Sequence, residues 1–297
     1  MVNLKKTALM AATGMLVLVL AACGEPVVAP EPDNDDSASE SEGAEEETAM
    51  TAEEVFMNST EAYEEVNSLH ADIVTDQVMN MMPEGMEIKM NVASATDMTL
   101  DPREFHQTSE TTIVSEDIEN ENPMSMQIFH TEDGMYFYES SMDAWLKMPE
   151  ESIDDLQGLA DQQTTDPTHQ LGELAAFQED FELEETADEY ILTLDATGDE
   201  FKTLLDRQLE KTLGQMEIEA QMVMENMVIH AADYEIFIDK GSNLVNRMNI
   251  GMNLDIEIQG EEMNIESDIQ AEYSDYNEIE QITVPAEVIE QAEEIPY

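Results

Sequence analysis

Residues 248–258 read Met-Asn-Ile-Gly-Met-Asn-Leu-Asp-Ile-Glu-Ile, with apolar side chains at Met248, Ile250, Met252, Leu254, Ile256 and Ile258. The positions between them include Asn249, Asn253, Asp255 and Glu257. Strict alternation has the period of a β-strand, whose successive side chains point to opposite faces. One face of this strand is therefore predicted to be buried and the other wet. A slip of one residue would move every one of these apolar side chains into water, so the register is tightly specified.

The same period extends in both directions. Upstream, Tyr234, Ile236 and Ile238 lead into a turn at Asp239-Lys240-Gly241. Downstream, a turn at Gln259-Gly260-Glu261-Glu262 leads to Met263, Ile265, Ile269, Ala271 and Tyr273. Nearer the N-terminus, Met86, Ile88, Met90 and Val92 alternate with polar residues, and Phe105 to Ile118 is rich in Thr and Val. Asp133-Gly134 is a hairpin signal between Met126–His130 and Met135–Tyr138. Trp145 and Leu146 form a short strand before Pro149, and Tyr190, Leu192 and Leu194 alternate again.

Helices are predicted at fewer places. Thr51-x-x-Glu54 is a capping-box pattern, followed by Val55, Ser59, Ala62, Tyr63 and Val66 at helical spacing. Ser152 to Phe177 reads as short helices or loops. A further helix starts near Thr197 and stops at Gly214, a favourable C-terminal residue. Helix followed by Met-rich strands thus occurs twice, a pattern compatible with duplication.

The N-terminus is different in kind. Lys5 and Lys6 precede an apolar run from Ala8 to Ala22, which closes as Leu20-Ala21-Ala22-Cys23 around the only cysteine. A cationic start, a short apolar run and small residues before the cut are the marks of a cleaved export signal, and the closing residues match a lipobox. The run is shorter than the ~20 apolar residues of a membrane span. Residues 1–22 are therefore expected to be a lipoprotein signal peptide, with Cys23 lipidated and residues 23–50 a disordered tether. The tether carries Pro26, Pro30, Pro32 and many acids without a base; as a flexible coil it would span about 30 Å. Residues 51–297 form the folded domain.

Ten basic and seventy acidic residues give a formal charge of −60. Such a surface excludes nucleic-acid binding through phosphates, and self-repulsion should make stability rise with salt. That charge points to a salt-rich or alkaline habitat. Apolar content of 42% is nevertheless enough for a core. A lone cysteine allows neither an internal disulfide nor a thiolate zinc site.

Motifs that carry chemistry are absent: no Gly-x-Ser-x-Gly, His-Glu-x-x-His or phosphate-binding loop occurs. The chain is expected not to be an enzyme and to use no cofactor or metal. Its 23 methionines, with groups at Met79–Met90 and Met222–Met227, offer soft sulfur suited to copper(I). Their alternation with polar residues reads instead as core or cavity lining. His70, His106, His130, His169 and His230 lack metal-ligand spacing.

Several segments together resemble the lipoproteins of LolA/LppX-like fold, in an uncharacterised branch common in Gram-positive bacteria. They are the lipobox ending at Cys23 with its acidic tether, Thr51-Ala52-Glu53-Glu54-Val55, and Val66-Asn67-Ser68-Leu69-His70. Asp133-Gly134-Met135-Tyr136, Trp145-Leu146-Lys147-Met148-Pro149 and Ile282-Thr283-Val284-Pro285-Ala286-Glu287-Val288 complete the set. The resemblance implies an α+β fold: a strongly curved antiparallel sheet, a half-barrel, with helices over its concave face.

The expected function is a lipoprotein anchored to the cell membrane through Cys23, on the extracytoplasmic side, binding a lipid or acylated molecule in the half-barrel. Met86, Ile88, Met90, Met248, Ile250, Met252, Leu254 and Ile256 are the candidate cavity residues. The alternative is a non-enzymatic envelope scaffold or sensor with a filled core that binds another protein, whose identity the sequence does not give.

Overall fold

The computed structural model describes residues 50–82, 85–115, 123–149, 166–196, 227–258 and 261–294. Helix α1 (Ala52–Ala62) begins where the capping box places it. The Thr51 Oγ1 accepts from the Glu54 amide at 3.2 Å, and the Glu54 carboxylate accepts from the Thr51 amide at 2.9 Å. Two otherwise orphaned amides are thereby satisfied. Val55, Ser59 and Tyr63 face inward as the spacing implies, and Phe56, outside that stripe, is buried as well. Helix α2 (Pro167–Leu174) buries Leu171 and Leu174, and α3 (Ala286–Gln291) buries Val288.

The strands are β1 (Ser68–Met82), β2 (Met86–Leu100), β3 (Arg103–Ser115), β4 (Met124–Thr131), β5 (Gly134–Glu139) and β6 (Ala144–Lys147). They continue as β7 (Glu182–Glu185), β8 (Glu189–Asp195), β9 (Val228–Asp239), β10 (Val245–Ile258), β11 (Glu261–Ser274) and β12 (Glu293–Glu294). All twelve join one sheet, in the order β12-β6-β5-β4-β3-β2-β1-β11-β10-β9-β8-β7. The chain meanders outward from β1 to β6, crosses to the far edge, and meanders inward from β7 to β11. There β11 closes against β1 in an antiparallel pairing from His70↔Ser274 to Met82↔Glu262. The turn between β4 and β5 falls at Glu132-Asp133, with Gly134 at φ +124°, a conformation that disfavours a side chain.

Alternation divides the sheet's two faces. On the inner face, Ala71, Met79, Leu192, Ile236, Met248, Leu254, Ile265 and Ala271 pack with Val55 and Phe56 of α1 and Leu171 and Leu174 of α2 in one buried cluster. The Val, Leu, Ile, Met and Phe side chains among these contribute roughly 1.5–3 kcal/mol each on full burial, which is why the long central strands hold the fold together. On the opposite face, at the β4–β6 side, Phe129 and Tyr136 pack with Ile282, Val284 and Val288 of the C-terminal segment. That segment then adds β12 beside β6 in the sheet's parallel pairing, Glu293↔Leu146.

The expected half-barrel is corrected by this architecture. The sheet is open and mostly flat, and its helices are short. Periodicity reveals that a strand has one buried face, but says nothing of how neighbouring strands curl. The edges supply the physical reason for openness. The central strands β1 and β2 have 15 residues, whereas the edges β7 and β12 have 4 and 2. Glu182, Glu184 and Glu185 on β7, and Glu293 and Glu294 on β12, would meet as like charges if the edges approached. The helix expected from Thr197 to Gly214 and the turn at Gln259-Gly260 lie outside the described residues.

Candidate functional site

The candidate cavity residues of β2 and β10 share the inner face, with β1 and β11 between them. The register aligns Met90–Gln77–Ser267–Met252 in one row and Ile88–Met79–Ile265–Leu254 in the next. A third row is Met86–Met81–Met263–Ile256, and all of these residues are buried except the half-buried Met81, Met86 and Met263. Met248 and Ile250 continue the buried series along β10.

These rows form no closed cavity, and this overturns the expected binding of a lipid or acylated molecule in a half-barrel. The expected membrane partner and lipid-anchored localisation are corrected with it. Among the described residues no helix is long and apolar enough to cross a membrane, and those same residues enclose no acyl-binding chamber. Cys23, with its lipobox and the tether up to residue 49, lies outside the described residues, as do Met222 and Met224.

The outer face of the central strands has the opposite character. The residues that alternate with the core on β1, β11 and β9 include Asp72, Asp76, Glu266, Asp268, Glu272, Asp233 and Glu235, all exposed. One row runs Asn91–Asp76–Asp268–Gly251–Asp233–Asp195 across six strands. Gly251 leaves a gap in that row: a Cβ there would lie 3.8 Å from Asp268 Oδ1 and 3.9 Å from Asp233 Oδ2.

Asparagine amides fix several of these acids in place. Asn91 Nδ2 donates to Asp76 Oδ1 at 2.9 Å, Asn249 Nδ2 to Glu235 Oε2 at 3.0 Å, and Asn253 Nδ2 to Glu266 Oε1 at 3.1 Å. Asn264 Nδ2 donates to Asp255 Oδ1 at 2.8 Å, and His230 Nε2 meets Asp255 Oδ2 at 2.7 Å. These contacts hold the Asp255 carboxyl below the usual carboxylate range, the His230 hydrogen bond contributing most.

Beside this lattice lies a second row, His70–Asp97–His106–Phe129. His70 Nδ1 is 2.6 Å from Asp97 Oδ1, and its Nε2 is 3.3 Å from Asp72 Oδ2. Burial disfavours charge on His70, but the hydrogen bond to Asp97 and the charges of Asp72 and Asp97 outweigh it and raise its pKa. Burial lowers that of His106, whose ring stacks on Phe129 at 4.1 Å. Sequence reading leaves these histidines scattered, because 27 residues separate His70 from Asp97. The available signal was the antiparallel pairing of β1 with β2, whose register runs from Met81↔Met86 to His70↔Asp97 and sets these residues opposite each other.

Among the described residues no group of three or more His, Cys, Asp or Glu side chains is arranged to hold a metal ion. The methionines of the first cluster are divided between core and edge: Met79 and Met90 are buried, and Met82 is exposed.

A family model matches residues 51–293, and the chain belongs to that family, a family of unknown function (DUF6612). This corrects the resemblance to the LolA/LppX-like lipoproteins, whose shared segments are short and whose half-barrel the open sheet does not reproduce. No curated protein matches the chain. Among solved structures it is similar to a DUF1329 family protein from Desulfovibrio piger, at 10% identity and a TM-score of 0.23, over 76% of this chain and 92% of that one. A beta-barrel-like protein of domain of unknown function DUF1849 from Brucella abortus is similar at 9% identity and a TM-score of 0.22, over 71% and 100%.

Proposed function

We propose that this chain is a protein-binding module rather than an enzyme, and that the outer face of its open sheet docks a cationic segment of another protein. The observation that carries this reading is the pairing of like charges on an exposed sheet face. Asp76 opposes Asp268, Asp72 opposes Glu272, Asp195 opposes Asp233, and Glu257 opposes Glu262. Like charges directly across two strands destabilise a sheet, by roughly 0.2–1 kcal/mol per pair. A lysine- or arginine-rich segment laid over them would turn that repulsion into attraction, with complementarity acting mainly on encounter rate and partner choice. The asparagine lattice supports the reading too, because it keeps the acceptors oriented before a partner arrives and so reduces the ordering cost of binding.

Fluorescence anisotropy with a labelled lysine-rich peptide tests it. Asp76→Asn/Asp268→Asn should weaken binding several-fold more than Glu287→Gln/Glu290→Gln, which removes the same charge from exposed positions on α3. Equal losses would mean that the peptide reads net charge rather than this face, and the proposal would fail.

A further inference from the structure

We infer that Gln77 and Ser267 together bind one internal water molecule on the inner face of the sheet. This inference is independent of the outer-face reading. Gln77 on β1 and Ser267 on β11 are register partners, exposed by only 1% and 4%. Neither Gln77 Nε2, Gln77 Oε1 nor Ser267 Oγ has a hydrogen-bond partner among the described residues. Both side chains lie within the apolar layer, between Met90 on one side and Met252 on the other.

A buried amide and hydroxyl left without partners each forfeit their hydration, a penalty large enough that native proteins rarely leave such groups unmatched. The two are register partners and do not bond each other, so each calls for a further hydrogen-bonding partner. Water fits the chemistry. Gln77 offers a donor and an acceptor, Ser267 offers either, and an internal water typically makes about three hydrogen bonds. Ser267 is the small residue between Ile265 and Ile269 on the same buried face of β11.

Water–amide NMR exchange experiments on the full chain test the site directly. A long-lived cross-peak between water and the Gln77 side-chain amide protons is expected, and Ser267→Ala should weaken or remove it. Gln77→Met keeps the length of the side chain but breaks the site, so it should lower the urea midpoint. The Gln77→Met/Ser267→Ala double variant should lose less than the sum of the singles. Absence of the cross-peak in the parent protein, or a urea midpoint raised by Gln77→Met, would overturn the inference. So would crystallographic density for a larger molecule bridging the two residues.

Discussion

Asp76 on β1 and Asp268 on β11 stand directly opposite each other on the exposed face of adjacent, hydrogen-bonded strands. Strands in a sheet are about 4.8 Å apart, well inside the Debye length of ~10 Å at 0.1 M salt. Asp268→Asn should therefore raise stability by ~0.2–1 kcal/mol in dilute buffer. At 1 M salt, where the Debye length is ~3 Å, the gain should largely vanish. Urea midpoints of both proteins at the two salt concentrations decide the matter. A gain that persists at high salt would show that repulsion is not its source.

Thr51→Ala should cost ~1 kcal/mol, because it removes the acceptor for the Glu54 amide at the start of α1. Thr51→Ser should restore most of that loss. Equilibrium unfolding of the three proteins checks the ranking, and an unchanged midpoint in Thr51→Ala would leave the capping box without energetic weight.

Leu254 is 1% exposed in the row that joins β2 to β10. Truncation to Ala should cost ~2–5 kcal/mol through lost burial and the cavity left behind. Met252→Trp adds volume to the same packed face and should cost ~1–3 kcal/mol. Binding of the basic peptide, measured well below either melting transition, should be unchanged by both, since neither side chain reaches the outer face.

The two histidines that flank Asp97 should titrate on opposite sides of the ordinary histidine value of 6.5. For His70 the folded pKa is raised, so its contribution to stability is full below the unfolded value and is lost as pH rises through the folded one. For His106 the folded pKa is lowered, so its contribution is full above the unfolded value and is lost as pH falls through the folded one. NMR titration of the two imidazoles reads both directions at once. His70→Gln should remove only the loss on the alkaline side, and identical titrations for the two rings would refute the assignment.

Strand positions were largely legible in the sequence because alternation is a local property. Met248 to Ile256 buries its even-numbered side chains, and the capping box sets the start of α1. Sheet shape was not legible, since curvature depends on how strands meet and on the acidic edges at β7 and β12. The outer-face lattice was only half legible. Asn249, Asn253 and Asp255 could be assigned to the wet face, but their partners Glu235, Glu266 and Asn264 emerge only once β9, β10 and β11 are in register. Gln77 and Ser267 were equally invisible, being polar residues on a face that periodicity marks as core.

The most direct measurement of the central claim follows the side-chain amide signals of Asn91, Asn249, Asn253 and Asn264 while a lysine-rich peptide is added. Each of these amides donates to an acid on the outer face. Their shifts should move together and saturate at one dissociation constant, while those of Asn67 and Asn277, at the far end of β1, stay still. Movement spread evenly over all six, or confined to Asn67 and Asn277, would contradict a cationic partner docking on this face.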